Sequence, residues 1–286
     1  MTPVMTDSPM LISSADNALV KRIRLLLRDG AAYRKTGQIW VEGDHLCRAA
    51  HAKGWQAQTV VWSQTGHERA AKALAEADWH DLLALAGNAV QTVVLTDKLM
   101  RELSGMESPA PVAALFALPE VATATLDQGD HAPVAPNVPT VVLDRVQDPG
   151  NMGAIIRTAA ALGFKQVLTV KGSVAAWSPK VVRAGMGAHF GLLIREGLDY
   201  PALGALAVPI LVTSSHQGDW CHEATLPWPC AWVFGHEGQG VGADLQAMAA
   251  QHVRIIQPGG EESFNVAAAA AICLHASAAR EASKKA

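Results

Sequence analysis

Little in this chain assigns it to a special class. Its four cysteines, Cys47, Cys221, Cys230 and Cys273, lie far apart and form no CxxC pair. That spacing argues against a zinc site and favours reduced structural thiols in a cytoplasmic protein over a disulfide framework. Neither a metal nor a membrane is expected: the longest apolar run, Val266 to Leu274, is far shorter than the ~20 residues that span a bilayer. The opening MTPVMTDSPMLISS has no basic stretch and no apolar core, and the first twenty residues hold no arginine. It reads neither as a secretory signal nor as a transit peptide. No charge of one sign dominates, the formal net charge being −3, so a polyanionic partner calls for a local basic patch.

What is present is folded sequence. At 286 residues, 50% hydrophobic and 17% charged, the chain exceeds the usual single domain, and two are expected. Residues 1–12 precede any periodic pattern and are expected to be disordered. Residues 13–118 alternate helical patterns (Asp16 to Arg28, Asp44 to Lys53, Glu68 to Ala86) with strands at Gln38 to Glu42, Thr59 to Ser63, Gln91 to Thr96 and Val112 to Leu118. Such alternation predicts a parallel or mixed sheet covered by helices. Residues 119–139, rich in Pro, Ala, Thr and Asp without periodicity, read as a linker. Over 140–286 the α/β rhythm resumes. Six strands are predicted, at Thr140 to Leu143, Gln166 to Val170, Gly191 to Arg195, Pro209 to Thr213, Ala231 to Phe234 and His252 to Ile256. With helices near Met152 to Leu162, Pro179 to Met186, Pro201 to Leu206, Ala243 to Ala249 and Val266 to Ala279, they make a doubly wound parallel sheet.

Three segments of this second half carry chemistry, each a short strand, a polar Gly-rich turn and a helix. In Asp144 to Phe164 (DRVQDPGNMGAIIRTAAALGF) the strand TVVL delivers Asp144 to the sheet's carboxyl edge, where open α/β sheets bind ligands. Asp148-Pro149-Gly150 is turn chemistry, Asn151 is placed to cap a helix from Met152, and Arg157 follows about a turn and a half later. Taken alone, these could be a cap and a surface charge. In Val233 to Leu245 (VFGHEGQGVGADL) the glycines around Glu237 allow close approach to the backbone. A competing reading is dinucleotide binding, from Gly238-x-Gly240-x-x-Ala243 with Glu261 and Glu262 about twenty residues on. Against it, the following helix is short, and the acids sit beyond Pro258-Gly259-Gly260 instead of at a strand end. In Val253 to His275, Ser263-Phe264-Asn265 heads an Ala-rich helix, where Ser263 and Asn265 can cap the helix, face a substrate, or both.

The three motifs in this order, with Asn-x-Gly-x-x-x-Arg in the first and Ser-Phe-Asn in the last, resemble the SpoU/TrmH-type RNA ribose 2′-O-methyltransferases of the SPOUT superfamily. KRIRLLLRDGAAYRKTGQIWVEGDHL and SGMESPAPVAALF are similar, more loosely, to the substrate-binding domain that precedes the catalytic one in many members. The resemblance implies an α/β protein: a C-terminal parallel-sheet SPOUT domain with a deep trefoil knot, preceded by a smaller α/β substrate-binding domain. It implies S-adenosyl-L-methionine as cofactor, held mainly by backbone at Gly235, Ile255 and Phe264. Asn151, Arg157, Glu237, Ser263 and Asn265 fall on the family's catalytic and substrate-contact positions. One departure is Ile255-Ile256-Gln257, where members usually carry Ile-Pro-Met. The partner implied is RNA, ribosomal ahead of transfer RNA, gripped through Lys21, Arg22, Arg24, Arg28, Arg34 and Lys35, a cluster that read alone is equally a solvated helix face. A homodimer through the catalytic domain is also implied, and the small residues Ala184, Gly185, Gly187 and Ala188 suggest close packing. A non-catalytic RNA-binding or ribosome-assembly factor and a nucleotide-dependent oxidoreductase are the alternatives.

Overall fold

The computed structural model describes residues 9–73, 77–119, 134–259 and 263–284. The chain divides into two compact units, one of residues 1–123 with Trp177–Phe190, the other of residues 124–176 with 191–286. Most of the expected linker, and the first eight residues of the expected disordered start, lie outside the described residues.

The first unit runs β1 (Met10–Ile12), α1 (Ala18–Arg28), α2 (Tyr33–Thr36), β2 (Gln38–Glu42), α3 (Asp44–Ala52), β3 (Ala57–Ser63), α4 (Gln64–Lys72), α5 (Ala77–Gly87), β4 (Gln91–Leu95), α6 (Asp97–Leu103) and β5 (Val112–Ala117). Its sheet has the order β1-β4-β3-β5-β2, with β5 antiparallel to both of its neighbours, so it is mixed as expected. Residues 10–12 correct the disordered start: β1 pairs in parallel with β4, Met10 against Val93 to Ile12 against Leu95. Three residues are too few to show a period. Helix α1 forms because Asn17 Oδ1 accepts the Leu19 N–H at 2.8 Å and because Val20, Ile23 and Leu26 line one face, all buried. The expected helical stretch from Glu68 to Ala86 is two helices, α4 and α5.

The second unit runs β6 (Thr140–Leu143), α7 (Pro149–Ala161), β7 (Gln166–Val170), β8 (Leu193–Leu198), β9 (Ile210–Thr213), β10 (Asp219–Trp220), β11 (Ala231–Phe234), α8 (Ala243–Ala247), β12 (Gln251–Arg254) and α9 (Val266–Ser283). All seven strands are parallel, in the order β10-β12-β9-β11-β6-β7-β8. Strands β6, β7 and β11 are buried at every position, which is why they read as unbroken apolar runs. The polar Gln166 is tolerated within this core because its amide pairs with Ala135 N and O and with Thr140 Oγ1. The seventh strand, β10, is two residues long and escapes any sequence pattern.

One stretch of the expected second domain packs among the residues of the first unit. Trp177–Phe190, with its helix Pro179–Ala184, joins the first unit. Arg183 donates to Gly105 O at 3.1 Å and to buried Glu42 at 3.4 Å, and the Trp55 indole donates to Phe190 O at 3.1 Å. Two of the small residues expected to pack closely do so inside the chain: Gly187 stands against Ala49, and Gly185 against His189. Ser178 caps this helix ahead of Pro179, as its sequence predicts.

Helix α9 is apolar in composition but buries only the stripe Ala270, Cys273, Leu274 and Ser277, leaving Ile272 39% exposed. It lies on α7 and β11, pinned by Trp232 Nε1 donating to Ser277 Oγ at 2.9 Å where both residues are fully enclosed. Ser277→Ala would leave that indole N–H without an acceptor. A loss of about 1–3 kcal/mol in urea unfolding is expected, with no change in m-value.

Candidate active site

The carboxyl ends of β6, β9, β11 and β12 point their loops to one edge of the second unit's sheet. There a cleft of about 960 Å³ opens, lined by Thr213 to His216, Trp220, Phe234 to Val241, Gln246, Val253, Ile255, Gln257 and Ser263 to Val266. Six of the eight catalytic and cofactor residues read from sequence line it: Gly235, Glu237, Ile255, Ser263, Phe264 and Asn265. A seventh, Asn151, is joined to it by hydrogen bonds.

Those bonds tie the three motifs together. Glu237 accepts the Asn151 side-chain amide at 3.2 Å and the backbone N–H groups of Asp148 and Gln147 at 3.1 and 3.3 Å. Asn265 in turn donates to Asn151 Oδ1 at 2.9 Å. Asn265 also caps α9, its Oδ1 accepting from Ala267 and Ala268, so the capping role open in the sequence is filled. Asn151 is not the cap of α7. The helix starts earlier, with Pro149 at its first position, and Asp148 Oδ1 accepts the Asn151 N–H at 2.8 Å. The Asn151 side chain is left to bridge the other two motifs.

Partial burial pushes the Glu237 pKa up, but its own backbone N–H, the Asn151 amide and the Asp148 and Gln147 amides outweigh it. The carboxyl is held below its ordinary value. The glycine-rich turn closes on itself, His236 N to Gly240 O at 3.1 Å and Gly240 N to His236 O at 2.9 Å. A Cβ on Gly235 would overlap the backbone of Gly240 and Val241, so glycine is required there.

Arg157 lies apart from this cleft. It is exposed and lines a neighbouring apolar groove of about 740 Å³ with Thr158, Leu162, Cys221, His222, Ile256, Ile272 and His275; Ile255 is common to both. Six positions along α7 from Asn151 carry it to another face of the helix. The basic cluster belongs to the first unit. Lys21, Arg22, Arg28 and Lys35 are exposed, but Lys21 pairs with Asp16 at 3.2 Å and Arg24 with Glu102 at 3.3 Å. Arg22 donates to Gln38, and the Arg34 guanidinium lies 5.7 Å from the Tyr33 ring centroid.

Sequence reasoning passes over Trp220 and the Ser214 to His216 loop. The polar cluster SSHQG directly after strand ILVT is the signal that could have found the loop. Trp220 sits on the two-residue β10, and the Arg254 guanidinium lies 3.7 Å from its ring centroid.

The described lining contains no lysine or arginine. Helix α8, after the glycines, has only five residues, so the dinucleotide reading fails. Apolar walls at Phe234, Val253, Ile255 and Phe264 beside one carboxylate suit an adenine ring carried with a sulfonium cation. Comparison with known proteins agrees. Residues 139–275 match the SpoU rRNA Methylase family and residues 17–114 the MRM3-like substrate binding domain. The chain carries a SpoU methylase domain. It is a methyltransferase, and its cofactor is S-adenosylmethionine.

Among SpoU-type relatives, an uncharacterized tRNA/rRNA methyltransferase of Synechocystis sp. is 29% identical over 285 residues, 96% of this chain and 95% of that protein. The 23S rRNA (guanosine(2553)-2′-O)-methyltransferase RlmP of Bacillus subtilis is 29% identical over 92% of this chain and 97% of its own. The structure of an AdoMet-bound rRNA methyltransferase from Sinorhizobium meliloti superposes with a TM-score of 0.75 at 26% identity, covering 95% of this chain and 97% of that one.

Because the Glu237 pKa is depressed, the stabilisation its hydrogen bonds give is complete above the ordinary glutamate value and fades as pH falls through the lowered one. It is constant across neutral pH. Asn151→Ala removes one donor and is expected to move the Glu237 midpoint upward in a carbon-13 carboxyl titration; an unmoved midpoint would show that the contact is not made. Asn265→Asp keeps the cap of α9 while losing the donor to Asn151. It should lose some stability because a carboxylate oxygen then faces Asn151 Oδ1, and Asn265→Ala, which loses the cap, should lose about 1 kcal/mol.

Proposed function

We propose that the chain methylates a ribose 2′-hydroxyl in structured RNA, ribosomal RNA ahead of transfer RNA. The observation that carries this is the cleft itself, in which three separated motifs are locked by the Glu237–Asn151–Asn265 chain against a lining suited to a sulfonium cofactor. The near full-length likeness to a 23S rRNA 2′-O-methyltransferase, N-terminal domain included, supports the ribosomal preference. Backbone at Gly235, Ile255 and Phe264 holds the cofactor in this reading, and the knotted threading of the C-terminal segment belongs to it. Four buried free thiols suit a reducing cytoplasm.

S-adenosylmethionine supplies an activated methyl group. The residues must bring a poor nucleophile in line with it and stabilise the alkoxide character that develops as the oxygen–methyl bond forms, the methyl–sulfur bond breaks to leave a neutral thioether, and the hydroxyl proton passes to water. Glu237, Asn151, Ser263 and Asn265 orient the groups at the cleft by hydrogen bonds. Arg157 acts electrostatically: a guanidinium with pKa above ~12 is an expensive base but a strong partner for a phosphate and an alkoxide. That Arg157 faces the groove beside α9 and not its own cleft supports a role at the cleft of a second protomer. Ile256 at 50% and Ile272 at 39% exposure on that groove support a dimer through this face.

Single-turnover transfer of labelled methyl to RNA from cells lacking the enzyme tests the reading and maps the nucleotide. Cofactor binding without transfer to any ribosomal or transfer RNA would favour the assembly factor instead. Arg157→Ala is expected to lower kcat on the order of a hundredfold with cofactor affinity intact; a wild-type rate contradicts its role. Arg28→Ala with Lys35→Ala should weaken RNA binding and flatten its salt dependence by up to about two phosphate contacts. Arg24 should matter less because Glu102 already holds it. Light scattering at micromolar concentration should give twice the 30.1 kDa chain mass; a monomer would remove the dimer from the account.

A further inference from the structure

Arg145 has no part in the reading above, yet it is held against its preference. It follows Asp144 at the carboxyl end of β6 with φ +59°, a left-handed conformation that costs a side-chain-bearing residue free energy and persists only where the surroundings over-determine it. Those surroundings join two motifs. Arg145 Nε and Nη2 donate to the two oxygens of Asp144 at 3.0 and 3.2 Å, while Nη1 reaches Gln239 Oε1 at 2.9 Å and Nη2 also reaches Gly240 O at 3.4 Å. Asp144 is fully buried, and so does not face a ligand as its place at the sheet edge suggests. Its carboxylate also accepts the Gly242 N–H at 2.7 Å and the Tyr200 hydroxyl at 3.2 Å. A buried carboxylate persists only when paired and hydrogen-bonded, and the guanidinium provides the charge. The approach is tight: a Cβ on Gly242 would lie 2.9 Å from the Tyr200 hydroxyl.

We infer that Arg145 is a positioning residue for the cofactor loop: neutralised by Asp144, it holds Gln239 and Gly240 so that residues 235–242 form a ready-made wall of the cleft. The inference rests on the cofactor lying in this cleft, as proposed above. The physical need is plain. A segment with glycine at 235, 238, 240 and 242 has more conformational freedom to lose than one without them. If that loss fell at the moment of binding, affinity would drop; a loop already ordered avoids it. Glu237 ties the near side of the turn to motif one, and Arg145 with Asp144 ties the far side.

Arg145→Gly removes the guanidinium while glycine accepts the backbone conformation without strain. The test is calorimetric titration of the full chain with S-adenosylmethionine, with hydrogen–deuterium exchange over 236–242. Kd is expected to rise on the order of tenfold, exchange at 239–242 to quicken, and kcat at saturating cofactor to change much less. Arg145→Lys, which keeps the charge but not the planar fork, should recover part of the affinity. Should Arg145→Gly fail to fold, Gln239→Ala removes the outer contact; because Gln239 also lines the cleft, binding weaker by about threefold supports the inference only together with quicker exchange at 240–242, and unchanged exchange overturns it. Unchanged Kd and exchange in the folded variants overturn the inference while leaving the cleft assignment standing. A wild-type chain that binds no S-adenosylmethionine overturns both.

Discussion

The candidate active site depends on one chain of hydrogen bonds whose direction is set at both ends. Glu237 as a carboxylate can only accept, so Asn151 must turn its NH₂ toward it and present Oδ1 to the other side. The exposed N–H groups at the start of α9 can only donate, so Asn265 must turn its oxygen to them and its NH₂ to Asn151. Reversing either amide breaks bonds on both sides. Three loops separated by up to 114 residues are thereby held in one arrangement, and the cleft takes its shape from it.

The parallel sheet makes this chain possible. Every strand of the second unit runs in the same direction, so the turns after β6, β11 and β12 emerge at one edge. The same geometry separates tasks along α7. Its first turn delivers Asn151 to the cleft, and its third delivers Arg157 to the groove against α9. The hydrogen-bonded residues thus lie within each chain's own site, while the cation proposed for the transition state is exposed on the groove.

The sequence made the second sheet largely legible because buried parallel strands are continuous apolar runs: TVVL, QVLTV and AWVF stand where their composition predicts. Short elements were not legible. Met10–Ile12 and Asp219–Trp220 are too brief to show a period, and their pairing is decided by the neighbouring strands. The exchange of Trp177–Phe190 to the first unit rests on Arg183, Glu42 and Trp55, contacts between residues up to 141 apart that no local pattern encodes. At the site, Gly235, Glu237 and Asn265 were readable as types suited to close approach and hydrogen bonding. Arg145 was not, because a charged residue next to a strand end reads as ordinary surface.

The central claim is that S-adenosylmethionine lies in the cleft formed by the three motif loops. A crystal structure of the protein with the cofactor tests it most directly. The account predicts ligand density between Gly235, Ile255 and Phe264, with the loop 236–242 unmoved and the Glu237–Asn151–Asn265 chain intact. Density in the groove beside Arg157, or a cleft in which these three loops rearrange to admit the ligand, would contradict it.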